Sequence, residues 1–352
     1  MLSTPDGPFI QVGRLNLPKY AQNQAIARPL FEHLFYHAND IRTALQLATL
    51  ANEITQNKDW WWLVQLGKCH HRLDMFRDSE KQYVFALEIQ PMVDTYLYLA
   101  KVYLRLDQPL LAISKLQEGL EKFPYEPYLV QAIARIHEGL NDMPKSIEYY
   151  RQVLKLNNTN IEAIACIAAN HFYNDQPEIS LKYYRRLLQM GVTTSSIFTN
   201  IALCCFHAQQ YDMIVTCFLK ALANASIDDE QADIWYNIGE MALYTTDINF
   251  AIQCFRLALV YNNDHAEAYN NLGLVELQRE NYETVYGRSY LQTAQSLAPH
   301  MFEPYYNFAK SMYQQGDLQS SFRAIKNSLD IYKNHSDSKQ IYDELKKMFS
   351  EL

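Results

Sequence analysis

The strongest constraint on this chain is a small residue that returns about every 34 positions. With units begun at residues 60, 93, 127, 161, 195, 232, 266 and 302, the eighth position reads Gly67, Ala100, Ala134, Ala168, Ala202, Gly239, Gly273 and Ala309. The twenty-fourth position is bulky at Tyr83, Leu116, Tyr150, Tyr184, Phe218 and Phe255, and the twenty-seventh is small at Ala86, Gly119, Ala221 and Ala258. Such a period accommodates two helices and two turns. Small slots let the helices approach, and bulky slots fill what remains between them. Pro91 and Pro124 stand at position 32, where a proline ends the second helix, and Pro299 joins them once two extra residues near Gly287 are allowed.

These slots are those of the tetratricopeptide repeat, and the expected fold class is all-α, a right-handed superhelical solenoid. Composition agrees, with 49% hydrophobic residues, 13% aromatics and only 10 Gly and 12 Pro in 352 residues, too few turn residues for an all-β chain. Residues 25–335 read as an array of about nine helix pairs. A degenerate first unit starts at 25, with Ala44 and Ala51 in the small slots but Glu32 at position 8. The spacing stretches to 37 before the unit at 232, where Ser226 to Gln231 form a polar loop. Residues 336–352 form a capping helix, with Ile341, Leu345, Met348, Phe349 and Leu352 on one face. Residues 1–24 read as an extended arm: Pro5 to Pro8 force a turn, Pro18 breaks any helix before Lys19, and Phe9, Ile10, Val12, Leu15 and Leu17 alternate with polar residues as if to lie along another surface.

The same composition excludes several functions. A formal charge of −8 without clustered Lys and Arg does not suit a nucleic-acid groove. There is no 18-residue apolar run and no signal-peptide layout, so an intracellular, soluble protein is expected. Glycines fall in repeat slots, turns or helix ends, leaving no phosphate-cradling loop and no expected cofactor. His33 and His37 have metal-pair spacing and Cys69, His70 and His71 are adjacent, but two ligands do not make a zinc site, so no metal is expected. The six cysteines include no CxxC pair and recur in packing slots, Cys69 with Cys204 and Cys217 with Cys254. Lys182, Arg185 and Arg186 read as a solvated face. No catalytic residue is expected, because arm, repeats and cap use the whole chain.

Binding residues are sought on the first helix of each unit. Position 6 reads Asn200, Asn237, Asn271 and Asn307 in four consecutive units, and an asparagine amide can pair with both the C=O and the N–H of a peptide backbone. Tyr236, Tyr306, Phe206 and Tyr313 at positions 5 and 12 would add apolar contacts. Helix packing is the competing role for the asparagines. Trp60, Trp61 and Trp62 point in three directions around a helix, serving either as interface anchors or as packing against the preceding helix. Lys68, Lys101 and Arg135 recur at position 9, but positions 5 and 6 hold Asn, aliphatic or other uncharged residues, unlike a co-chaperone that grips a C-terminal carboxylate. Residues 221–308 set Arg256, Arg279 and Arg288 against 12 acidic residues, a net −9 that serves either to attract a basic partner or simply as solubilising charge.

Several strings go beyond the repeat slots: Asp6 to Ile10, Lys58 to Trp62, Tyr96 to Tyr103, Asp175 to Ile179 and Leu297 to Met301. From about Asp6 onward the chain resembles the eighth Bardet–Biedl syndrome protein family, a tetratricopeptide-repeat subunit of the BBSome. The resemblance implies a coat-like cargo adaptor that moves membrane proteins in and out of cilia, recruited to membranes by an ARF-like GTPase. Implied partners are the other BBSome subunits, including a small extended subunit and propeller-bearing subunits, with no nucleic acid and only indirect membrane association. Implied locations are the cytoplasm, the cilium and the basal body. Members of that family carry an N-terminal extension with a Pro/Gly/Thr-rich linker that is lacking here, so a shortened or trimmed form is expected.

Overall fold

The computed structural model describes residues 15–279 and 285–351, and the described residues are all helix and turn. The chain divides into two compact units, residues 1–170 and 171–352. The first unit opens with α1 (Leu17–Ala21), α2 (Gln24–Glu32), a π-helical turn (His33–His37) and α3 (Ile41–Ile54). Helix pairs follow: α4 (Trp60–Arg72) with α5 (Phe76–Ile89), α6 (Val93–Arg105) with α7 (Pro109–Lys122), and α8 (Pro127–Gly139) with α9 (Met143–Leu156). The division falls inside α10 (Ile161–Tyr173).

The second unit holds α11 (Pro177–Gln189), α12 (Ser195–His207) with α13 (Ile214–Asn224), and α14 (Asp228–Tyr244) with α15 (Ile248–Tyr261). It continues through α16 (Ala266–Arg279) with α17 (Val285–Leu297) and α18 (Glu303–Gln314) with α19 (Leu318–Ile331) to a last helix, α20 (Ser336–Glu351). This is the all-α tetratricopeptide-repeat fold. No helix of the described residues is long and apolar enough to cross a membrane.

The small eighth slot has a measurable cause. A Cβ on Gly67 would lie 2.5 Å from Cε1 of Tyr83, the residue at position 24 of the same unit, and one on Gly239 would lie 2.7 Å from the Phe255 ring. Tyr83 and Phe255 are buried to 1% and 0% exposure, so the rings have nowhere to withdraw. A second tie crosses the same helix pair. Ser79, Ser146 and Ser321, all at position 20, donate their hydroxyls to the carbonyls of Gly67, Ala134 and Ala309 at 2.8, 3.0 and 2.8 Å. The carbonyl that each small residue leaves accessible receives a buried donor, which a larger residue at either slot would block.

The turn between the helices of a pair is also periodic. Asn39, Asp74, Asp107, Asn141, Asp175, Gln209, Thr246 and Gly316 all have positive φ, and all stand at position 15 of their units. The next amide closes the helix end: Met75 N–H donates to the His70 carbonyl at 2.9 Å and Gln108 N–H to that of Tyr103 at 2.9 Å, as in a Schellman cap. In the degenerate first unit the bond runs from Asp40 to Leu34 at 3.0 Å, one residue longer, through the π-helical turn. Asn and Asp tolerate this left-handed backbone better than other side chains, which explains their recurrence.

Two expectations need correction or restriction. The extended arm over residues 1–24 is helical at Leu17–Ala21: Pro18 sits in the first turn, where its missing N–H costs nothing, and the Asn16 side chain accepts from Lys19 N–H at 3.3 Å. Leu15, Leu17 and Tyr20 pack on the core formed by Ala27, Phe31, Leu47 and Trp62, while residues 1–14, with Phe9, Ile10 and Val12, lie outside the described residues. In α20, Leu345 is fully buried with Ile341 and Tyr342 packed beside it, but Met348 and Phe349 are 40% and 42% exposed, and Leu352 is outside the described residues.

Candidate binding surface on the first helices of the repeats

The four asparagines of position 6 are half-buried on α12, α14, α16 and α18, and no two of them bond in the same way. Asn200 Nδ2 donates to the Tyr184 hydroxyl at 3.2 Å, and Asn237 Nδ2 to the carbonyl of Asp233 in its own helix at 2.8 Å. Asn271 Nδ2 reaches back one pair, to the Tyr236 hydroxyl at 3.2 Å and to the Glu240 carboxylate. Asn307 Nδ2 donates to Oδ1 of the buried Asn270 at 3.0 Å, and Asn270 Nδ2 donates to Asn271 Oδ1 at 3.0 Å. Asn307, Asn270, Asn271 and Glu240 thus form one chain of bonds across α18, α16 and α14. The surrounding groups are tuned by burial, which raises the Glu240 carboxyl and the Tyr236 hydroxyl above their ordinary values.

The aromatic positions are partly engaged as well. Tyr236 lies 4.9 Å from the ring of the buried His265 and 5.8 Å from that of Phe255. Tyr306 meets His335 edge-on at 4.8 Å, and the Tyr313 hydroxyl donates to Glu344 of α20 at 3.1 Å. Phe206 groups with His207, Tyr211 and Tyr244 at ring separations of 5.5, 6.1 and 5.9 Å. Tyr211 and Tyr244 are exposed, so Phe206 sits at the base of an open aromatic cluster.

In the first unit the tryptophans separate by depth. Trp62 is fully buried, edge-on to Phe31 at 6.1 Å, and cannot anchor a partner, which corrects that part of the expectation. Trp61 is half-buried under the Arg28 guanidinium at 5.1 Å, and Trp60 is half-buried against the core of Leu63 and Tyr83. Position 62 faces the preceding unit, where the Trp62 ring packs in one core with Phe31 and Leu47.

The first compact unit also carries two hollows that sequence reasoning did not find. One, of about 740 Å³, lies between α6, α7 and α8, with Leu97, Leu104 and Ile136 in its apolar wall and Lys101 and Arg135 on it. The other, about 310 Å³, lies between the His33–His37 turn, α4 and α6, and gathers Tyr36, Lys68, His71, Arg72, Tyr98 and Lys101. Lysine at position 9 with arginine at position 13 of two successive units, Lys68 with Arg72 and Lys101 with Arg105, is the sequence signal that marks it.

Reactive chemistry finds little support among the described residues. Burial raises the thiols, Cys69 to about 12 and Cys166, Cys204 and Cys254 to about 11, far from the thiolate a nucleophile needs. All six cysteines are free. His33 and His37 stack on each other at 5.6 Å, and no group of three metal-ligating side chains forms among the described residues.

Comparisons with known proteins place these features. The tetratricopeptide repeat family model matches residues 129–160. Among solved structures, the Cut9–Hcn1 hetero-tetramer of the APC/C shares the fold at a TM-score of 0.55 and 14% identity, over 95% of this chain and 65% of that one. The chain is 23% identical to the BBSome complex member BBS4 of Bos taurus, over 91% of its own length and 60% of the relative's. It is 53% identical to the tetratricopeptide repeat protein 8 of Mus musculus over 100% of its own length and 68% of the relative's. Identity of that level along the whole chain and two thirds of the relative means that the chain belongs to the tetratricopeptide repeat protein 8 family.

Proposed function

We propose that this chain is a non-catalytic scaffold subunit of a BBSome-like coat and cargo adaptor that traffics ciliary membrane proteins. The observation that carries the reading is its similarity, along 91% of its length, to a BBSome complex member. The architecture supports it. Repeats without a separate catalytic domain offer long lines of side chains to other polypeptides, and tetratricopeptide arrays bind by such surfaces. In this reading the array spans 25–335 and the helix at 336–352 closes its end. The partners are the other subunits, among them a small extended one and propeller-bearing ones. Membrane association is indirect, and the protein works in the cytoplasm, the cilium and the basal body region.

The asparagines at position 6 and the neighbouring rings form part of the partner surface in this reading. Since their Nδ2 groups bond within the chain, the contribution they make to a bound segment is through the carbonyl oxygens and the apolar faces of Tyr236, Tyr306 and Phe206. Affinity purification of the full chain from ciliated cells, read by quantitative mass spectrometry, tests the proposal. A fixed set of co-purifying subunits in equal amounts is expected. Recovery of chaperones alone, or of no stoichiometric partner, would overturn it.

A further inference from the structure

We infer that the hollow between the His33–His37 turn, α4 and α6 docks an acidic, extended segment of a partner protein, held by Lys68, Arg72 and Lys101 against the rings of Tyr36 and Tyr98. Helices α4 and α6 carry four cations, Lys68, Arg72, Lys101 and Arg105, and one carboxylate, Asp94, in the first turn of α6 at the opposite end from Lys101 and Arg105. None of the four cations forms an ion pair with a carboxylate among the described residues, whereas Arg28, Arg135 and Arg256 do. In a chain of net charge −8 this is a local inversion of sign.

Lys68 and Arg72 are held in place by neutral partners that order them without cancelling their charge. Lys68 Nζ donates to the Tyr36 hydroxyl at 3.2 Å and lies 4.8 Å from the centre of the Tyr98 ring, which Lys101 Nζ also approaches at 5.6 Å. Arg72 donates to Asn39 Oδ1 at 2.8 Å and covers the Phe35 ring at 5.2 Å. The field is felt by His71: besides burial, Arg105 and Lys101 hold its imidazole below the ordinary value, and its solvent-shielded Nε2 has no partner. A ligand carboxylate entering here meets ordered donors, so little side-chain freedom is lost on binding.

Geometry favours a peptide. The cations lie on the first helices of two successive repeats, α4 and α6, and Lys101 also borders the larger hollow, whose wall includes Leu97, Leu104 and Ile136. An extended segment can therefore place carboxylates beside Lys68, Arg72 and Lys101 and a large apolar side chain beyond them. A flat lipid surface has no equivalent for that second hollow. The inference rests on the adaptor reading only in taking the partner to be a protein.

The test is fluorescence anisotropy of the full chain with a labelled, C-terminally amidated peptide of three glutamates followed by two leucines, against its glutamine counterpart. The glutamate peptide should bind more tightly and lose affinity as salt rises. Lys68→Gln and Lys101→Gln should each weaken it about tenfold, the size of one charge-assisted hydrogen bond, with Lys155→Gln as an unaffected control. Lys101 is exposed and bonded to nothing but a ring face, so its replacement leaves the fold intact. Equal binding of the glutamine peptide, unchanged affinity in both lysine variants, or Lys68- and Lys101-dependent binding to phosphatidylserine vesicles in place of the peptide would overturn the proposal. Purification of the same variants from ciliated cells separates the two readings: a complete subunit set with no peptide binding sinks this site alone, and peptide binding with no subunit set sinks the adaptor reading alone.

Discussion

The amide of Asn271 donates to the Tyr236 hydroxyl, 35 residues earlier in the chain, and to the carboxylate of Glu240 one turn further along the same helix. Asn237 occupies the equivalent position one unit upstream, yet bonds only to the carbonyl of Asp233 four residues before it. Residues that are interchangeable by slot are therefore not interchangeable by energy. Asn271→Ala leaves a half-buried carboxylate and a tyrosine hydroxyl short of a donor and should cost about 1–3 kcal/mol of stability. Asn237→Ala should stay within about 0.5 kcal/mol, as at a surface position. Chemical denaturation of the two single variants checks this. Equal losses would mean that the interhelix bond carries no weight. Partner binding measured in Asn237→Ala isolates the docking role, since fold and binding are then uncoupled.

Gly67→Ala should destabilise the first unit. The added methyl would stand 2.5 Å from Tyr83, whose ring is fully buried between α4, α5 and α6. Overpacking of this kind costs about 1–3 kcal/mol, and Gly239→Ala should behave alike against Phe255. The pair Gly67→Ala with Tyr83→Leu should recover part of the loss, because the shorter side chain vacates the space. A melting temperature unchanged in Gly67→Ala would show that the ring yields at no cost.

Acid should weaken the fold through His70 and His71. Burial holds both imidazoles below the ordinary value of 6.5; Arg105 and Lys101 depress His71 further, and Asp78 and Asp74 partly oppose the shifts. The unfolded chain then binds protons that the folded chain refuses, so stability rises with pH wherever these sites titrate. The contribution is complete above about pH 6.5 and is lost as the pH falls from there through the depressed folded values. Melting curves from about pH 7.5 to 5 should show this decline, and the double change His70→Gln with His71→Gln should flatten it. A slope that survives the double change would assign the acid sensitivity elsewhere.

Residues 221–308 should steer a basic partner. Their sequence sets three arginines against 12 acidic residues, and one of the three, Arg256, is committed to Glu276 at 3.1 Å. Burial holds the Glu240 carboxyl toward its protonated form, which trims the field without reversing it. Association of a subunit bound there should slow markedly as salt shortens the screening length to about 8 Å at physiological strength. Stopped-flow rates that ignore ionic strength would exclude steering.

The helix pairs follow from the repeat spacing, because packing two helices closely needs small residues opposite large ones at a set interval. Gly67 with Tyr83 and Gly239 with Phe255 could be paired from their spacing alone. The left-handed turn at position 15 was legible in the same way, as Asp74, Asp107, Asn141 and Asp175, although its meaning lies in a backbone angle. The family resemblance, too, was carried by strings outside the packing slots. Which partner each polar or aromatic side chain meets, by contrast, follows from how the helices lie against one another. Trp60, Trp61 and Trp62 are identical in sequence and differ in burial because a helix turns by about 100° per residue. Four asparagines share one slot and bond in four different ways, since the neighbour within reach of each differs from unit to unit and follows no repeat. The cradle of Lys68, Arg72 and Lys101 exists because α4 and α6 lie side by side without a carboxylate between them, and juxtaposition across helices is a property of the folded chain alone.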